Sequence, residues 1–146
     1  MEKINTLLLL VFFLLNSCSS TPEFVKLEDL CSEAYWGETI VTEGTLYLPL
    51  NKTNNKVGFT IGIKDEITGV KMPNLKIFAS VDETKNCMRY LPISYSEMDV
   101  KVFDNNGEVI AFGDRIRVTG SIGGADQDLC DLWVEKLEKI NKDRKE

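Results

Sequence analysis

From Trp36 onward the apolar residues recur at every second position, and this period constrains the fold more than any other feature of the sequence. The stretch "ETIVTEGTLYL" puts Ile40, Thr42, Gly44, Leu46 and Leu48 on one side. "VGFTIGIKD" puts Val57, Phe59, Ile61 and Ile63 on one side, with Gly58, Thr60, Gly62 and Lys64 on the other. "LKIFASV" aligns Leu75, Ile77, Ala79 and Val81; "DRIRVTGSI" aligns Ile116, Val118, Gly120 and Ile122; "LCDLWVEKL" aligns Cys130, Leu132 and Val134. A strand alternates its side chains between two faces, so each run predicts a strand with one buried and one solvated side. Five such runs separated by turn residues predict a small all-β domain.

Two of the runs share a pattern. Ile40-Val41-Thr42-Glu43-Gly44-Thr45-Leu46 and Ile116-Arg117-Val118-Thr119-Gly120-Ser121-Ile122 each place a glycine on the inward face between apolar neighbours. Glycine weakens a strand unless it serves a bend, a bulge or a close backbone approach, and small barrels need sharp bends at their corners. This pattern resembles the OB-fold, a five-stranded barrel in which strands one and four are neighbours and commonly carry such a glycine. Gly113-Asp114 ahead of the fourth run, and Asp65-Glu66-Ile67-Thr68-Gly69 between the second and third, resemble that family's turns. The resemblance covers about residues 36–140, within a domain spanning 24–140. The segment from Asp82 to Gly113 departs from it. In place of a helix it offers "VKVFDNNGEVIAF", which predicts an added hairpin between strands three and four, turning at Asn106-Gly107.

Ahead of the barrel, residues 22–35 carry Phe24, Leu27, Leu30, Cys31 and Ala34 at helical spacing. Thr21-Pro22-Glu23 supplies a cap residue, a proline for the first turn and an early acid, so a short N-terminal helix is predicted.

The first residues set the chain's expected location. Leu7 to Leu15 is an unbroken apolar run preceded by Lys3. Nine helical residues span about 14 Å, short of the roughly 30 Å bilayer core, which fits a secretory leader rather than a membrane span. Its end, Leu15-Asn16-Ser17-Cys18, resembles the lipobox of bacterial lipoproteins. The resemblance implies a leader of residues 1–17, cleavage before Cys18, a diacylglycerol thioether on that cysteine and acylation of its new amino group. Residues 18–23 would then be a lipidated tether to the membrane. Ser19 rather than aspartate after the cysteine implies the outer membrane, if the host has one.

Charge and composition exclude several function classes. The chain has 23 acidic and 17 basic side chains, net −6, and losing Glu2 and Lys3 with the leader leaves that balance unchanged. Nucleic-acid binding rests largely on phosphate neutralisation, so none is expected here. There is no histidine, which removes Ser-His-Asp and Cys-His catalysis and every histidine-ligated metal site. Residues 141–146 read as a charged, solvated tail.

Four cysteines are present, Cys18, Cys31, Cys87 and Cys130. With Cys18 acylated, at most one disulfide forms among the other three. The OB resemblance puts the end of strand four beside the start of strand one, which implies Cys31–Cys130, with Cys87–Cys130 as the alternative and no bridge as the third case. The spacings are unlike a zinc site, and no histidine is present to activate a thiol.

OB-folds often bind ligands across strands two and three through outward aromatics. The corresponding face here holds Thr60, Lys64, Lys76 and Phe78. Phe78 is its lone aromatic, too little for tight single-strand stacking. Asp126, Asp128 and Asp131 lie in a loop without the order of an EF-hand and read as a solvated acidic loop, so no metal or other cofactor is expected. Asp104 in "DNNGE" reads as a turn residue, and Tyr35, Trp36 and Trp133 as packing or rim residues. No catalytic constellation is legible. The expected function is a non-catalytic binding module on the cell envelope with envelope proteins as partners. A structural or assembly accessory, or a histidine-independent hydrolase, is the alternative.

Overall fold

A computed structural model describes residues 21–48, 61–90, 99–124 and 130–140. Residues 1–20 with Cys18, the stretch containing Thr60, the loop with Asp126 and Asp128, and residues 141–146 lie outside the described residues. The elements in chain order are β1 (Glu23–Phe24), a 3-10 helix (Glu33–Tyr35), β2 (Thr39–Tyr47), β3 (Ile61–Lys64), β4 (Lys71–Lys76), β5 (Ala79–Ser80), β6 (Cys87–Arg89), β7 (Val102–Phe103), β8 (Val109–Ile110), β9 (Arg115–Gly123) and β10 (Asp131–Lys139).

Strands β2, β3, β4, β10 and β9 pair in that order, and β9 pairs back to β2, closing a five-stranded barrel. Within it only β4 and β10 run parallel. This is the OB-like arrangement. The alternating residues do what their period dictates: Ile40, Leu46, Ile61, Ile63, Ile116, Val118, Ile122 and Leu132 are all at most 1 % exposed inside the barrel. Each such side chain, fully withdrawn from water, stabilises the fold by about 1.5–3 kcal/mol.

Two bulges shift the pattern. On β4, Met72 faces Ile63 and Leu75 faces Ile61, so β4 carries one residue more than β3 over that span. On β10, Glu135 is the extra residue between Val134, opposite Gly120, and Lys136, opposite Thr119. The alternation therefore skips, and Leu137 rather than Lys136 points inward, fully buried.

The third strand differs from the sequence expectation. The run from Leu75 to Val81 is divided: Leu75 and Lys76 end β4, while Ala79 and Ser80 form β5 in a second sheet, and Val81 is 64 % exposed. That sheet has the order β5-β6-β7-β8 and contains the expected hairpin. Phe103 pairs with Val109, the Asp104 N–H donates to the Glu108 carbonyl, and Gly107 takes φ +89° in the turn. Positive φ is the conformation glycine adopts without steric cost.

The inserted sheet closes a gap in the barrel. β4 accompanies β10 only at Leu132 and Trp133. Further along, the Leu137 N–H donates to Asn86 Oδ1 and its carbonyl accepts from the Asn105 N–H, both at 2.8 Å. An otherwise open strand edge is thus satisfied by the insertion. Met88, Val102 and Ile110 of the insertion are buried in the same core.

The N-terminal helix expected over residues 22–35 is replaced by strand and turns. Glu23 and Phe24 pair in parallel with Ile40 and Val41, and the Val25 N–H donates to the Val41 carbonyl. Successive i→i+3 bonds from Asp29 to Lys26 and from Ser32 to Asp29 carry the chain to the 3-10 helix, which Ser32 caps. Val25, Leu27 and Leu30 are buried while Phe24 is largely exposed. The helical spacing of Leu27 and Leu30 is met by a turning chain that plugs the barrel, and the pairing with β2 outweighs local helix preference.

Candidate functional site

Regular alternation turns Thr39, Val41, Glu43, Thr45 and Tyr47 of β2 outward beside Arg115, Arg117, Thr119 and Ser121 of β9. Glu43 stands directly opposite Arg117 and diagonally to Arg115. Its Oε1 accepts from Arg117 Nε at 2.9 Å and Nη2 at 2.7 Å, and its Oε2 accepts from Arg115 Nη2 at 2.9 Å. Both oxygens of one carboxylate are therefore held by two guanidinium groups. The arginines are half or more exposed, whereas the Glu43 side chain is 17 % exposed. Ion pairs to such exposed partners add little stability, about 0–1 kcal/mol each. What the fork does is fix the orientation of three charged groups on one face.

This fork borders a broad groove. The groove, about 530 Å³, lies between the β2–β9 face and the 104–108 turn of the insertion, with Asn105, Glu108, Glu138 and Lys139 completing its rim. The turn wall is rigidly made. Asp104 is 2 % exposed, and its Oδ1 accepts the N–H groups of Asn106 and Glu108 at 2.8 Å each. Lys139 is anchored by Asp114 Oδ2 at 2.7 Å, which also accepts the Ala111 N–H. Glu43 and Arg115 also line two smaller clefts on the side toward β3, both reaching Asp65 and Ile67. Groups of both charge signs at fixed spacing can orient a polar chain carrying donors and acceptors.

The residues picked from the sequence are not gathered in this groove. Lys64 ends β3, opposite Lys71, and pairs with Glu66 at 3.0 Å. Lys76 ends β4, opposite Trp133, and reaches Asp131 at 3.5 Å. The register separates the two lysines by five residues of β4, roughly 16 Å of strand. Phe78 is 63 % exposed between β4 and β5. Thr60 is outside the described residues. Between the lysines the face is covered: the Tyr47 ring lies where a Gly62 side chain would stand, and Lys71 Nζ sits 5.9 Å from the centre of that ring. Burial pushes the Tyr47 hydroxyl pKa up. Trp133 lies over Gly123 on the outer surface, as a rim residue.

Cys31 and Cys130 form the disulfide, with Cα atoms 5.6 Å apart, and Cys87 is a free, buried thiol. No group of three or more metal-ligating side chains occurs among the described residues. The Glu43 fork was missed because its members are 72 and 74 residues apart in the chain; only the register of β2 with β9 joins them. The signal available in the sequence was outward Glu43 and outward Arg115 and Arg117 on the two glycine-bearing strands. No family model and no curated protein sequence matches the chain.

Proposed function

We propose that the chain is a lipid-anchored cell-envelope protein that acts as a non-catalytic binding module, with another envelope protein as its partner. The observation that carries the reading is the groove held between the Glu43–Arg115–Arg117 fork and the Asp104 turn, a pre-shaped polar surface with both signs of charge. The lipobox-like Leu15-Asn16-Ser17-Cys18 supports the anchor, and more than one acyl chain would make it stable. The absence of histidine supports a non-catalytic role, and the net charge of −6 supports a protein partner over nucleic acid. No helix among the described residues is long and apolar enough to cross a membrane.

Two experiments test the two halves. Intact mass and detergent partitioning of the purified chain should show acylation, lost in Cys18→Ser; unchanged partitioning of that variant refutes the anchor. Photo-cross-linking in native membranes from a probe at Glu108 should recover one reproducible envelope protein, and Arg115→Glu should abolish the adduct. Adducts that persist with Arg115→Glu refute the groove as the binding surface.

A further inference from the structure

We propose that Phe24 and Ile67 form a membrane-docking tip, which holds the barrel against the same bilayer that carries its anchor; this rests on acylation of Cys18. Phe24 on β1 is 57 % exposed, and Ile67, at the apex of the Asp65–Gly69 turn, is 95 % exposed. Both line one shallow cleft of about 260 Å³ together with Lys26, Leu27 and Thr68. An isolated apolar side chain on a surface needs no explanation, but two at one spot beside a lipid attachment point do.

The covalent chain supplies that attachment point. Thr21 is only three residue steps from Cys18, so it lies within about 11 Å of the acylated residue whatever path the chain takes. Phe24 follows three residues later, already fixed against β2. The β1 end of the barrel therefore cannot stand far from the headgroups. Ile67 is held rigidly at its apex: Asp65 Oδ1 accepts the N–H groups of Ile67 and Thr68 at 2.7 and 2.8 Å, and Gly69 closes the turn at φ +75°. The nearby charges are largely paired at home, Lys26 with Glu28 and Lys64 with Glu66. The tip accordingly presents hydrocarbon to the interface without a large single-sign field, and suits a bilayer of mixed zwitterionic and anionic lipid.

The test uses the full mature lipoprotein in phosphatidylethanolamine–phosphatidylglycerol vesicles. Single cysteines are introduced as Ile67→Cys, Phe24→Cys and, on the inserted sheet, Val109→Cys, and each is labelled with an environment-sensitive NBD dye. Cys87 is fully buried and does not compete for the label. Intact mass first establishes whether Cys18 is acylated. On an acylated chain, the dyes at positions 67 and 24 should shift to the blue and be quenched by doxyl-labelled lipid, while the dye at position 109 stays at its aqueous value. Aqueous emission at 67 and 24 on an acylated chain overturns the docking tip alone, as does an equal shift at all three positions. An unacylated chain overturns the anchor and with it the tip.

Discussion

Gly120 on β9 stands directly opposite Ile40 on β2, and four residues along the same ladder Gly44 stands opposite Ile116. The two glycine-bearing strands are antiparallel copies of one pattern, so each glycine meets the isoleucine of its partner across the barrel's closing seam. The two positions are not equivalent in their surroundings. At Gly120 the carbonyl oxygen of Trp133 occupies the place a Cβ would take, because the Glu135 bulge brings the β10 backbone in. At Gly44 the nearest atoms to a Cβ would be Lys64 O at 3.0 Å and Leu27 Cδ1 at 3.1 Å, the latter able to move.

Alanine at the two sites should therefore separate them. Gly120→Ala collides with backbone and is expected to destabilise by about 1–3 kcal/mol or more. Gly44→Ala should cost less, since its nearest backbone atom, Lys64 O, stands farther off at 3.0 Å and Leu27 can turn away. Chemical denaturation of the two variants checks the order; equal losses would show that the bulge does not press on β9.

The Cys31–Cys130 bridge joins the N-terminal plug to the start of β10 across 99 residues of sequence. A cross-link closing so long a loop stabilises mainly by restricting the unfolded chain, typically by about 2–5 kcal/mol. Cys31→Ser paired with Cys130→Ser should lower the thermal midpoint markedly. Non-reducing peptide mapping of the wild type should give one peptide pair containing Cys31 and Cys130, with Cys87 recovered alone.

How far the sequence determined this architecture can be seen strand by strand. β2 and β9 follow unbroken alternation over nine residues each, so their inward faces were legible, and with them the seam, the likeness to an OB barrel and the cysteine pairing it implied. β4 and β10 each carry a bulge, and a bulge is invisible to a period-two reading: it hid Leu137 and misplaced the third strand. The N-terminal segment misled because apolar residues three apart satisfy a helix and a turning plug equally well. The fork at Glu43 required the register itself.

Thr42 is the one fully buried polar residue on the inner face of β2, opposite Val118, and its hydroxyl has no hydrogen-bond partner. An unpaired buried hydroxyl costs about 1–3 kcal/mol of desolvation. Thr42→Val keeps the branched shape that suits a strand and removes that burden. The variant should be at least as stable as the wild type by denaturant titration, and a clear loss of stability would mean that the hydroxyl is satisfied in solution.

Cys87 lies fully buried at the start of β6, where its Sγ donates to the Glu83 carbonyl at 3.2 Å. Burial, the main cause, pushes its thiol pKa up, because the thiolate is disfavoured away from water. A group whose pKa is higher folded than unfolded contributes stability that is complete below its unfolded value. That contribution is lost as pH rises from the ordinary thiol range, about 8.5, through the raised folded value. Native protein should therefore react with Ellman's reagent at neutral pH only at the rate of unfolding. Stability measured across the alkaline range should fall more steeply for wild type than for Cys87→Ala. Parallel curves for the two proteins, or rapid labelling of the native fold, would show that the thiol is not held in this buried, protonated state.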